Sequence, residues 1–166
     1  LGLRSTGTAH TRRCAGANAQ VDFDDAKLVV DSFFNMIRGN VFVRNHVAIK
    51  GRGTTFAWTS AGSLTIDSNA TLKLDYGTTF SYDSSSRLRT QLIMTDASSL
   101  LHVNNATLCA THTGVILSRG SMYFENVVTL SSEASNEAEA IVLDKSLSGY
   151  VPLGATIDIK GMVVYQ

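Results

Sequence analysis

Apolar and polar residues alternate with a period of two along much of the chain. Leu64 and Ile66 alternate with Thr65 and Asp67, Leu72 and Leu74 flank Lys73, and Ile157 and Ile159 flank Asp158. A two-residue period puts every second side chain on one face, the pattern of a short strand with one buried side. Strand-like segments begin near 41, 46, 55, 63, 71, 79, 92, 99, 106, 114, 121, 127, 140, 155 and 162. Gly, Asn, Asp or Ser separate many of them, and these residues tolerate the left-handed backbone of a tight corner.

The segments repeat. Gly53-Thr54-Thr55-Phe56-Ala57-Trp58 returns as Gly77-Thr78-Thr79-Phe80-Ser81-Tyr82, an offset of 77 − 53 = 24. Ser99-Leu100-Leu101-His102-Val103-Asn104 returns as Ser121-Met122-Tyr123-Phe124-Glu125-Asn126, an offset of 121 − 99 = 22, and Thr107-Leu108 matches Thr129-Leu130. Periods of this size match one turn of a three-sided β-helix. A third echo, Ser63–Leu72 against Ser99–Leu108, has an offset of 99 − 63 = 36. Either its copies occupy different faces or about 12 extra residues separate them. The Ser- and Arg-rich stretch 83–91 favours the second reading, as a loop insertion. The expected fold is an all-β, single-domain parallel β-solenoid over 41–166, in rungs of 22–24 residues. A β-sandwich is the alternative, because it too shows many short strands at close intervals. Leu64, Ile66, Leu72, Leu74, Phe80, Leu100, Leu108, Met122, Phe124 and Leu130 are the expected core.

Residues 21–40 carry a different pattern. Ala26, Val29, Val30, Phe33, Phe34 and Ile37 fall at i, i+3, i+4, i+7, i+8 and i+11, one side of an α-helix. Asp24 or Asp25 suits its N-terminus and Gly39 its C-terminus. An amphipathic helix here would cap the first rung. The final strands have no comparable cover, so the sequence ending Met162-Val163-Val164-Tyr165-Gln166 reads as an open edge.

Composition supports strands. The chain of 166 residues is 44% hydrophobic and only 17% charged, with 18 Ser and 17 Thr. Hydroxyl and β-branched residues fit a pleated surface better than a helix. Fourteen basic and fourteen acidic residues give a formal net charge of zero, which offers no general attraction to nucleic acid. No apolar run approaches the roughly 18 residues of a membrane span. The small-x-small sequence Ala17-Asn18-Ala19 follows polar and basic residues rather than an apolar stretch, so a signal-peptidase site is rejected. The start at Leu1 suggests processing or a fragment. Charge is unevenly placed: residues 1–20 carry Arg4, Arg12 and Arg13 without an acid, while Ser131–Ala140 carries Glu133, Glu137 and Glu139 without a base.

Ile49-Lys50-Gly51-Arg52-Gly53-Thr54, the twice-used Asn-Ala-Thr-Leu, and Phe124-Glu125-Asn126 before Val127-Val128-Thr129-Leu130 resemble a bacterial family. It comprises surface and secreted proteins with right-handed parallel β-helices, of the autotransporter-passenger and cell-envelope repeat type. The resemblance covers roughly 41–130 and, more loosely, 140–166. Repeated Gly-Gly-Ala-Ile motifs are lacking, which separates the chain from the polymorphic membrane proteins. The resemblance implies an extracellular or cell-surface, non-catalytic scaffold used for display, adhesion or assembly.

Catalytic motifs are sparse. Gly51-Arg52-Gly53 lacks the third glycine and following helix of a phosphate loop, and no nucleophile elbow, P-loop or zincin motif is present. His102, aligned with Ile66 and Phe124, is expected to point inward against a backbone carbonyl. His102, His112 and Cys109 lack zinc spacing. Cys14 and Cys109 allow at most one intramolecular disulfide. Asn69-Ala70-Thr71 and Asn105-Ala106-Thr107 fit the glycosylation pattern, but left-handed corner asparagines explain their shared place in the repeat better. The outward charges Asp67, Lys73 and Asp158 read as scattered, and Arg87/Arg89 as a solvated loop. No cofactor, metal or enzyme activity is expected.

The function expected is therefore a structural scaffold that joins copies of itself head to tail into oligomers or filaments. Arg4, Arg12 and Arg13 of a basic arm (1–20), Glu133, Glu137 and Glu139, and the edge residues Met162, Val164 and Tyr165 would make the contact. The alternative is a carbohydrate-binding or carbohydrate-cleaving β-helix, or part of an adhesin or spike, with a surface glycan as partner. Acids and bases converging on one solenoid face would mark that alternative.

Overall fold

The computed structural model describes residues 3–5, 10–13 and 19–166, the first two groups by backbone alone. The chain winds as a parallel β-solenoid of about six turns. The first face stacks β1 (Leu3–Ser5), β4 (Lys27–Val30), β7 (His46–Gly51), β10 (Thr71–Asp75), the first halves of β13 (Leu100–Ala110) and β15 (Ser121–Ser132), and β17 (Ser148–Tyr150). The second stacks β2 (His10–Arg13), β5 (Phe34–Arg38), β8 (Thr55–Trp58), β11 (Thr79–Tyr82), the second halves of β13 and β15, and β18 (Thr156–Lys160). The third holds two separate ladders. One is β3 (Gln20–Asp24), β6 (Asn40–Arg44), β9 (Leu64–Ile66) and β12 (Leu92–Met94); the other is β14 (Val115–Leu117), β16 (Ile141–Leu143) and β19 (Val163–Tyr165). Between β12 and β14 the ladder breaks, and the Ile116 N–H donates to the Arg89 carbonyl at 2.8 Å.

Parallel stacking makes each inward position a column. Val47, Leu72, Leu101 and Met122 lie one above another, as do Phe34, Phe56 and Phe80, whose rings stack at 5.1 and 5.7 Å between centroids. Leu72, Leu101, Phe56 and Phe80 are each 1% exposed. Burial of each such side chain contributes about 1.5–3 kcal/mol. Corners use left-handed residues: Asp25, Asn45 and Asn69 lead into the first face, while Asn105 and Asn126 turn β13 and β15 from the first face to the second. Asn69 (φ 59°) and Asn105 (φ 44°) thus serve geometry, as their place in the repeat indicated. At Gly161, with φ 79°, an added Cβ would sit 1.9 Å from the Ser132 carbonyl oxygen, so only glycine fits.

The solenoid agrees with the pattern reading, but four details are corrected. The expected capping helix at 21–40 is absent, and this stretch forms β3, β4 and β5. Ala26, Leu28 and Val30 point inward with a period of two, and pairing with β7 and β8 overrides the coincident helical spacing. Asp25 and Gly39 are left-handed corners and not helix caps. The basic arm is also revised, because Arg4 lies in β1 opposite Val29 and Arg12 in β2 opposite Met36.

The 36-residue echo comes from copies on different faces. Ile66 pairs on the third face with Val43 and Met94, whereas His102 pairs on the first with Lys73 and Tyr123. Finally, Leu100 is half-buried and Leu101 takes the core position. Leu101, not Leu100, lies opposite Met122. The corner of β13 is shorter than that of β15, and the register shifts between Asn104 and Ala106. A slip of one residue exchanges inside for outside.

Candidate assembly and binding surfaces

The residues expected at the assembly contact fall at opposite ends of the stack. Arg4, Arg12 and Arg13 lie in the first-turn strands. Glu137 and Glu139 form a short 3-10 turn after β15, capped by the Asn136 side chain, which accepts from the Ala138 N–H. Glu133 sits just before it, donating its N–H to the Ala110 carbonyl. The Glu139 carboxylate accepts from the Ser135 N–H at 2.8 Å and hydroxyl at 2.9 Å. These bonds hold its pKa below the usual carboxylate value. Met162 and Val164 are half-buried and Tyr165 is exposed in the last turn.

That last turn leaves its columns uncovered. Leu130 and Val128 are 2% and 0% exposed, yet Ile159, directly over Leu130, is 57% exposed. Val151 and Leu153, between β17 and β18, are also exposed. Among the described residues, β17, β18 and β19 each have a strand on one side only.

The outer surface of the first face carries the densest polar chemistry. Lys73, His102, Tyr123 and Tyr150 form one outward column, and Lys50, Asp75, Asn104 and Glu125 the next. Glu125 Oε2 lies 2.9 Å from His102 Nε2 and 3.6 Å from Lys73 Nζ. His102 also meets Tyr123 edge to face at 4.7 Å, and Tyr123 stacks on Tyr150 at 5.2 Å. Burial, then the nearby Lys73 charge, lowers the His102 pKa, with Glu125 opposing both. His102 therefore faces outward to a carboxylate, correcting the inward expectation. Lys73 is likewise not one of a scattered set, for it converges with acids and bases on this face. Asp67 pairs instead with Arg44 at 3.5 Å, and Asp158 lies 3.4 Å from Lys160.

Two of the clefts among the described residues are lined by charged side chains from more than one turn. One, of about 590 Å³, is lined by Asp83, Arg87, His112 and Glu139 among others, with His112 Nδ1 3.1 Å from Asp83. The other, of about 400 Å³, lies beside the first face and is lined by Lys27, Val29, Asp31, Lys50, Gly51, Arg52 and Tyr76. Residues 83–91 form no strand but fold against the stack. The buried Tyr82 hydroxyl donates to the Leu88 carbonyl at 2.6 Å and accepts from the Gln91 N–H at 3.1 Å. Arg89 Nε and one terminal nitrogen are buried without a partner among the described residues. Cys109 is a half-buried free thiol, while Cys14 lies outside the described residues. Among the described residues, no helix is long and apolar enough to cross a membrane.

No protein-family model matches this chain, and no curated protein or solved structure matches it significantly. Function therefore rests on the geometry.

Proposed function

We propose that this chain is a structural scaffold of the cell surface or an extracellular assembly that associates end to end with copies of itself. The observations supporting this reading are the one-sided pairing of β17, β18 and β19 among the described residues and the exposed apolar side chains Val151, Leu153 and Ile159. One inward column changes from buried to mostly exposed in one step, from Leu130 at 2% to Ile159 at 57%, while Ile157 and Val163 stay half-buried. Unpaired strand edges of this kind are templates for another strand. A further copy's first turn offers edge strands that can pair with β17, β18 and β19 and shield Ile157 and Ile159 from water. Charge supports the polarity, since the basic strands lie at one end and Glu133, Glu137 and Glu139 near the other. Such a contact is heterologous and repeats without closing, which gives filaments.

Sedimentation at high protein concentration and low salt tests the reading. Concentration-dependent association is expected. Ile159→Lys should abolish it, and changing the three glutamates to lysine should weaken it in a way that fades with salt. An intact chain that stays monomeric under these conditions refutes it.

A further inference from the structure

The cleft beside the first face combines features that the scaffold reading does not use. Tyr76 is 60% exposed and sits in the left-handed region at φ 61°. An aromatic residue with positive φ is rare and costs conformational energy, so such a position is maintained by its surroundings. Here the support is Asp75, only 7% exposed. Its carboxylate accepts from the Tyr76 N–H at 2.9 Å and the Asn104 amide at 3.1 Å, and pairs with Lys50 at 3.2 Å. Its backbone carbonyl accepts from the Thr78 hydroxyl at 2.6 Å. The turn thus holds an aromatic ring out into solvent, with Lys50 Nζ 5.5 Å from its centre.

The charges around the ring are incompletely matched. Lys50 has Asp75, but the side chains of Lys27 and Arg52 have no ion-pair or hydrogen-bond partner among the described residues. Asp31 is the carboxylate on the cleft wall. We propose that this cleft binds an acidic saccharide, a chain bearing uronate carboxylates or sulfate groups, with Tyr76 packing against a sugar ring. Lys27 and Arg52 pair with the anionic groups, and Arg52 offers the forked donor geometry that suits carboxylate and sulfate. Asp31 accepts from sugar hydroxyls, a role that a bare inorganic anion leaves unfilled. A cleft of about 400 Å³ lies in the range of small-ligand sites. The first-face outer columns continue from it past Lys73, His102 and Glu125 to Tyr123 and Tyr150, giving a longer chain a track of polar and aromatic groups.

Calorimetric titration of the intact protein with a uronic-acid oligosaccharide, its carboxyl-reduced neutral counterpart and inorganic phosphate tests the proposal. The acidic sugar should bind at least about tenfold tighter than the neutral one, and phosphate should compete poorly. Tyr76→Asn, which relieves the backbone strain and so keeps or raises the melting temperature, should weaken binding about tenfold. Arg52→Gln should weaken the acidic sugar while leaving the neutral one unchanged. Equal affinity for both sugars, full displacement by phosphate, or wild-type binding by the stably folded Tyr76→Asn protein each overturns it. Ile159→Lys should leave sugar binding intact, so this result is separable from the assembly test.

Discussion

Leu100 and Leu101 provide the sharpest test of the register. Truncating Leu101 to Ala removes a side chain 1% exposed, held in a column between Leu72 and Met122. The strands above and below are fixed at a ladder spacing of about 4.8 Å, so they cannot close over the gap. The cost should therefore lie in the upper part of the usual Leu→Ala range, about 3–5 kcal/mol. Leu100 points to the half-exposed outer surface, and Leu100→Ala should cost under about 1 kcal/mol. With a urea m-value of about 2 kcal/mol per molar, the Leu101 variant should shift its midpoint by roughly 2 M and the Leu100 variant by less than about 0.5 M. Equilibrium urea unfolding followed by circular dichroism measures both. Equal shifts, or a larger one for Leu100, would refute the register and every outward assignment on the first face, including His102, Lys73 and Glu125.

Three further outcomes follow from individual groups. Burial pushes the Tyr82 pKa up to about 12, so the phenol stays protonated; Tyr82→Phe should leave the Gln91 N–H without its partner, cost about 1–3 kcal/mol and speed tryptic cleavage after Arg87. The His102 pKa is lowered in the fold from an ordinary 6.5, so the unfolded chain binds the proton first. Its stability contribution is intact above the unfolded value and is lost as pH falls toward and through the lowered one, a slope that His102→Gln should remove from urea midpoints measured from pH 7.5 to 5. Burial also raises the Cys109 pKa, so its reaction with a thiol reagent at pH 8 should be much slower in the folded protein than in urea.

The strand pattern and corner asparagines were readable because each depends on one or two neighbouring residues. Leu72, Leu74, Phe80, Leu108 and Leu130 were correctly placed by alternation alone. What failed depended on partners far along the chain. Residues 26–37 satisfy both a helical and a strand period, and only the neighbouring turn decides between them. Leu100 was misplaced because Asn105 and the pair Asn126-Val127 turn equivalent corners with different numbers of residues. The polar surface was hidden for the same reason. Lys50, Asp75, Asn104 and Glu125 share a column, yet they are 25, 29 and 21 residues apart by subtraction (75 − 50, 104 − 75, 125 − 104). No single repeat length aligns them, so charges that meet in space read as scattered.

The two proposed surfaces use different directions of the same solenoid. The proposed assembly runs along the stack axis at Ile159; the proposed saccharide cleft opens sideways, at Tyr76, Lys27 and Arg52. Apart from Tyr150, which lies on β17, the two surfaces use different residues, so each can be removed while the other remains. Joining copies along the axis repeats the cleft on successive subunits, so a saccharide long enough to reach two clefts binds the second intramolecularly. Weak single-site affinity would then become strong retention only on the assembled form. Titrating a long acidic polysaccharide against wild-type and Ile159→Lys protein measures this coupling. The gain in affinity over a short oligosaccharide should appear with wild-type protein and vanish with the monomeric variant, and a gain of equal size in both would show that the surfaces do not cooperate.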